Sequence, residues 1–169
     1  MGWAERRGVP GKQAAEGMEA RNHGMPVASP EDEWARFRAY GNQLIDTHMR
    51  LRELLDDLRE GIVPQADLGA HCLAFCAAVT RHHTAEDTTV FPILAERHPE
   101  LRGFLAELER DHHVIAGMLT RLSAAGAPGR EDLDGLAAVL ETHFIGEEKR
   151  LAGVLNALDR SLGPLGLED

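Results

Sequence analysis

The chain has 169 residues and carries 28 acidic side chains against 18 Lys and Arg, a formal net charge of −10. That balance excludes a sequence-independent hold on nucleic acid phosphates or on an acidic membrane surface, since both need clustered positive charge. Hydrophobic residues at 43% with aromatics at only 5% suit one all-α domain, large enough to bury a core without disulfides or a structural metal.

Residues 1–28 mix Gly, Pro, Arg and Glu without a strand or helix period and read as a flexible N-terminal extension. Ser29-Pro30-Glu31-Asp32 then opens a helix: Ser29 caps, Pro30 suits the first helical position, and the acids favour the positive end of the dipole. Its apolar seam passes through Trp34, Phe37, Leu44, Leu51 and Leu55, with Tyr40 flanking it as a packing residue. His48 takes a core slot on that seam.

Gly61 and Pro64 end the first helix, and a second pattern runs from Leu68 through Cys72, Phe75 and Val79. In the next slots His82 and Glu86 replace core residues, and Pro92 is expected to break or kink the helix before the His98-Pro99 boundary. Cys72 and Cys76, four apart on one face, read as reduced core residues. The third seam holds Leu105, Leu108, His112 and Ile115 and closes in the Ala125-Gly126-Ala127-Pro128-Gly129 turn. A fourth holds Leu140, His143, Glu147 and Leu151, closes near Gly163-Pro164, and leaves residues 163–169 as a short loose tail.

Four amphipathic helices with short connections, over residues 29–162, predict an up-down-up-down antiparallel four-helix bundle. Counted from the turn between them, His48 lies about 12 residues back and His82 about 17 forward, a mismatch of roughly 7 Å. For His112 and His143 the counts are about 13 and 12, nearly level, and since helix ends read from a sequence shift by about two to four residues, all four histidines are expected at one level. No apolar run reaches the length of a membrane span and the N-terminus has no apolar export segment, which predicts a soluble cytoplasmic protein.

Residues four apart on a helix project side by side, so each His-x-x-x-Glu pair offers an imidazole and a carboxylate to one point in the core. The candidate metal ligands are therefore His48, His82, Glu86, His112, His143 and Glu147. Two buried glutamates facing one another without a cation would each be driven toward protonation, and two metal ions resolve that conflict. Four neutral imidazoles and two carboxylates favour iron, ahead of manganese or of zinc with its preference for four tetrahedral ligands. A histidine satisfied in an ordinary core remains the bland alternative for any one of these residues, but six such groups at one level would cost several kcal/mol to bury.

His83, His113 and Glu148 each follow a seam ligand and so sit about 100° around their helices. They read as outer or solvated groups, with the exchange of His83 or His113 for its neighbour left open. Asp87 either orients a ligand histidine or faces water. Glu109 with His112 matches a Glu-x-x-His element by chance, since Glu109 is off the seam, and His23, His71 and His98 read as surface residues.

On these residues, and on the stretches RHHTAEDTTVFP, LERDHHVI and HFIGEE, the chain over about residues 30–160 resembles the hemerythrin-like proteins of the HHE cation-binding type. The resemblance implies a bundle holding two iron ions (Fe2+/Fe3+), oxo-, hydroxo- or peroxo-bridged as well as carboxylate-bridged, that meet O2, H2O2 or NO. The O2 carriers of that family have a further histidine four residues after the one on the third helix, where this chain has Ala116. One histidine fewer favours an open coordination position and hence redox chemistry in oxidative or nitrosative stress defence, peroxidase-like, catalase-like or NO-reducing, supplied by a separate electron donor. The alternative is a protein that stores, carries or senses O2 or iron without turnover. A monomer or weak homodimer is expected.

Overall fold

The computed structural model describes residues 39–167 apart from Gln65 and Ala127. The expected helix opening at Ser29-Pro30, Trp34, Phe37 and the extension 1–28 lie outside the described residues. Among those described, the structure is helical throughout: α1 (Tyr40–Glu60), α2 (Leu68–Ala85), a π-helical turn (Glu86–Val90), α3 (Phe91–Arg97), a 3-10 turn (Pro99–Leu101), α4 (Arg102–Ala124), α5 (Arg130–Asn156) and a last 3-10 turn (Arg160–Leu162). No helix among them is long and apolar enough to cross a membrane.

The ends follow local chemistry. Gly61 terminates α1 in the left-handed region at φ 68°, and the Ile62 amide donates back to the Asp57 carbonyl. Pro92 does not break its helix. Proline has no N–H and its ring crowds the carbonyl four residues earlier, and the chain accommodates this by widening for one turn, so that the Phe91 amide donates to Glu86, five residues back. Helicity resumes to Arg97, and the His98-Pro99 boundary falls where expected.

α1 packs against α2 and α5, and α4 packs against α2 and α5, so each of the four long helices has two neighbours. Their apolar residues form two clusters. One joins Leu51, Leu55, Phe75, Val79, Ile115, Leu119, Leu136 and Leu140. The other joins Leu44, Phe91, Leu94, Leu105, Leu108, Leu151 and Leu155. The seam positions between the two clusters are polar and buried, namely His48, His82, Glu86, His112, His143 and Glu147.

Two further contacts fix that layer. Gly41 lies against the Ala152 backbone, an approach that leaves no room for a Cβ and draws α1 onto α5. The segment after Leu162, expected to be loose, instead closes one end of the bundle. Leu165 and Leu167 are buried, the Tyr40 hydroxyl donates to the Gly163 carbonyl at 2.6 Å, and the Thr47 hydroxyl donates to that of Leu167 at 2.6 Å. Periodicity could not show this, because two leucines among glycines, proline and acids make no helical stripe. Cys72 and Cys76 are free and buried, and burial pushes the Cys72 thiol up to about 11.

Candidate metal centre

The six expected ligands meet in the polar layer. His48 Nε2 lies 2.9 Å from His82 Nε2, and His112 Nε2 lies 3.1 Å from His143 Nε2. Two nitrogens bound at right angles to one ion, each at ~2.1 Å, would be ~3.0 Å apart, so both pairs already have the spacing of neighbouring ligands. The glutamates stand between the pairs. Glu86 places one oxygen 3.3 Å from His82 Nε2 and the other 3.5 Å from His112 Nε2. Glu147 Oε2 is 3.4 Å from His48 Nε2 and 3.7 Å from His143 Nε2.

Outer carboxylates orient two of the rings. His48 Nδ1 donates to Glu148 at 2.9 Å, and His112 Nδ1 donates to Asp87 at 2.7 Å. An ionised carboxylate only accepts, so the proton of each ring sits on Nδ1 and the Nε2 lone pair points inward. Asp111 stands 3.6 Å from His143 Nδ1, beyond hydrogen-bond range. Glu148 is itself held by Arg52, whose guanidinium spans Glu148 and Glu141 at 2.9 and 2.7 Å and lies over the Phe144 ring. Asp87 and Glu148 thus both act as orienting groups.

The arrangement has the electrostatics of a site made for a cation. Burial pushes the Glu147 carboxyl up to about 8 and that of Glu86 well above the usual carboxylate range, where the charge of Glu147 adds to the effect. Burial lowers His82 to about 3, helped by repulsion from His112 and His143, and lowers His112 and His143 to about 4. His48 is lowered as well, mainly by burial. The carboxylate oxygens of Glu86 and Glu147 and the Nδ1 atoms of His82 and His143 accept or donate no hydrogen bond among the described residues. Orphaned buried groups of this kind cost about 1–3 kcal/mol each. A bound cation would take the place of the missing partners of the two carboxylates, and the donor set fits one: His48, His82, Glu86 and Glu147 place ligand atoms within 4.8 Å of one another.

The pattern of the hemerythrin HHE cation binding domain matches residues 41–155. The chain belongs to that family. No curated protein and no solved structure matches it. As an HHE domain it is a cation-binding protein, and the His and Glu layer is where a cation could be held.

Seam reasoning misplaced one residue of this HHE domain. His83, expected to be an outer or solvated group, is buried, stacks on His112 at 3.9 Å between ring centroids, and joins His112 and His143 in a second group of potential ligands. A helix with two neighbours in a bundle faces them in directions roughly a right angle apart, and consecutive residues differ by about 100°. His82 therefore serves the α1 side and His83 the α4 side. The His-His doublet was the available signal, and the assumption of one inward face per helix hid it. His113, by contrast, is exposed, with its Nδ1 donating to the Glu109 carbonyl at 2.8 Å. Exposed Glu109 makes no ligand, and His71 is exposed too.

Proposed function

We propose that this HHE domain holds two iron ions, one with His48 and His82 and one with His112 and His143, bridged by Glu86 and Glu147. We propose that the pair reacts with O2, hydrogen peroxide or nitric oxide in oxidative or nitrosative stress defence. The observation that carries this reading is the position of each glutamate between the two histidine pairs, within 3.3 to 3.7 Å of an imidazole from each. Carboxylates so placed favour two hard-to-borderline ions that change oxidation state over zinc with its closed tetrahedral shell. The two apolar clusters, each joining opposite ends of successive helices, support an up-down-up-down antiparallel order.

When bound, an iron pair supplies one-electron steps at each metal and a Lewis acid for a small diatomic or peroxide ligand. The chain supplies the surroundings. Asp87 and Glu148 hold the His112 and His48 rings, while Leu44, Phe75, Leu108, Ile115 and Phe144, all buried, keep bulk water from the layer. A cavity of about 200 Å³, lined by Thr80, His83, Asp87, His112 and Ala116 among others, opens beside the His112 edge and suits only a small reactant. The small side chain of Ala116 keeps that cleft open.

The test is iron content of protein purified from iron-replete cells, followed by optical spectra on adding O2, H2O2 and NO. Two iron ions per chain with turnover of peroxide or NO is the expected result. Less than one iron per chain would refute the di-iron reading, and a stable reversible O2 adduct without turnover would select a carrier in place of an enzyme.

A further inference from the structure

α2 and α5 carry one motif twice: His82-His83-x-x-Glu86-Asp87 and His143-Phe144-x-x-Glu147-Glu148. The two copies make matching contacts. Asp87 accepts from His112 as Glu148 accepts from His48. His83 stacks on His112 with centroids 3.9 Å apart and planes 9° from parallel, and Phe144 stacks on His48 at 3.9 Å and 16°. The copies differ in chemistry at this stacking position, imidazole in one and phenyl in the other.

Stacking alone does not account for the imidazole. Phe144 shows that a phenyl ring performs that role in the other half without burying a polar atom. His83 is only 6% exposed, and its Nε2 has no hydrogen-bond partner among the described residues, a cost a phenyl ring would avoid. What the ring does have is company: one ring nitrogen each from His83, His112 and His143 lies within 4.8 Å of the others. Nitrogens bound to one ion at ~2.1 Å lie at most ~4.2 Å apart, so closing this group on one ion takes a small inward movement together with a turn of the His83 ring out of its stack on His112.

We propose that His83 is a metal ligand, binding the ion held by His112 and His143, so that the two halves of the site are unequal. Three imidazoles serve one ion and two serve the other, with Glu86 and Glu147 shared. His83 then supplies from α2 a donor that α4 does not provide at Ala116. This inference rests on the two-metal reading above and adds a seventh ligand to it.

Its test is metal binding, independent of activity. Apo-protein is titrated anaerobically with Fe2+ against a competing chelator, in the wild type and in His83→Phe, a change that keeps the stacked ring Phe144 shows to be compatible with the layer. Wild type should take up two equivalents. His83→Phe should keep one at wild-type affinity and bind the second at least about tenfold more weakly, since even groups that only orient a ligand are worth ~10–100-fold. Far-UV circular dichroism of the apo variant checks the fold.

Two equivalents at unchanged affinity in His83→Phe would overturn the ligand assignment and leave the two-metal reading standing, whereas fewer than two in the wild type would overturn both. If the phenyl ring does not fit, His83→Ala is titrated with and without added imidazole. Recovery of the second equivalent by imidazole supports ligation, and a loss that imidazole does not restore counts against it.

Discussion

Stripping the metal should give this protein an inverted pH response near neutrality. The Glu147 carboxyl is fully buried, and burial holds it up to about 8, against an ordinary carboxylate value of 4.5 in the unfolded chain. A group whose folded pKa is raised contributes its full stability below the unfolded pKa and loses it as pH rises through the folded one. Between these limits the unfolded chain has released a proton that the folded chain retains, so unfolding becomes easier by about 1.4 kcal/mol per pH unit.

The buried histidines act in the opposite sense, because their folded values are lowered, to about 3 for His82 and about 4 for His112 and His143, from 6.5. Their contribution grows as pH rises through 6.5 and is complete only about one unit above it, because half of each unfolded imidazole population is still charged at 6.5. Above about pH 7.5 the glutamates therefore act alone, and between pH 7.5 and 8.5 Glu147 by itself should lower stability by roughly 0.5–1 kcal/mol. For a chain of this size that is a fall in Tm of about 2 °C, with Glu86 acting in the same direction.

The assay is a series of thermal melts by circular dichroism on chelator-treated protein from pH 7.5 to 8.5, beside metal-loaded protein and apo Glu147→Gln. Apo wild type should lose stability across the window, Glu147→Gln should lose less, and the loaded protein should not show the fall, because ligation takes over the carboxylate charge. An apo Tm that is level or rises from pH 7.5 to 8.5 would refute the picture of two protonated, cation-seeking carboxyls.

Asp87→Asn removes the acceptor charge 2.7 Å from His112 Nδ1 and should weaken metal binding by ~10–100-fold while leaving the apo fold intact, as read by chelator competition; Glu148→Gln should do the same at His48. Gly41→Ala drives a methyl group into the Ala152 carbonyl and should destabilise the bundle by about 1–3 kcal/mol. Urea unfolding would show it as a lower midpoint, and an unchanged midpoint would mean α1 and α5 can part at no cost.

Much of the centre follows from one-dimensional spacing. A residue on the apolar seam of a helix must be buried, and buried His and Glu need partners, so His48, His82, Glu86, His112, His143 and Glu147 could be picked out from their seam positions alone. All six are buried at one level. The π-helical turn at Glu86–Val90 was not legible as such, since Pro92 signals only that the α-helical ladder must yield somewhere, and neighbouring packing decides whether it kinks or widens.

The sequence by itself therefore determined the helical class, the burial of six polar seam residues and, through the HHE pattern, the capacity to bind a cation. Those properties depend on periodicity and residue chemistry, which are local. Only the tertiary structure decided which outer residues turn inward. His83 rather than His113 joined the layer, Glu148 and Asp87 came to hold His48 and His112, and Leu165 and Leu167 became part of the core. The physical reason is that a helix flanked by two neighbours has two buried directions, and a tail has whatever surface the folded bundle leaves for it; neither is defined until the other helices are in place.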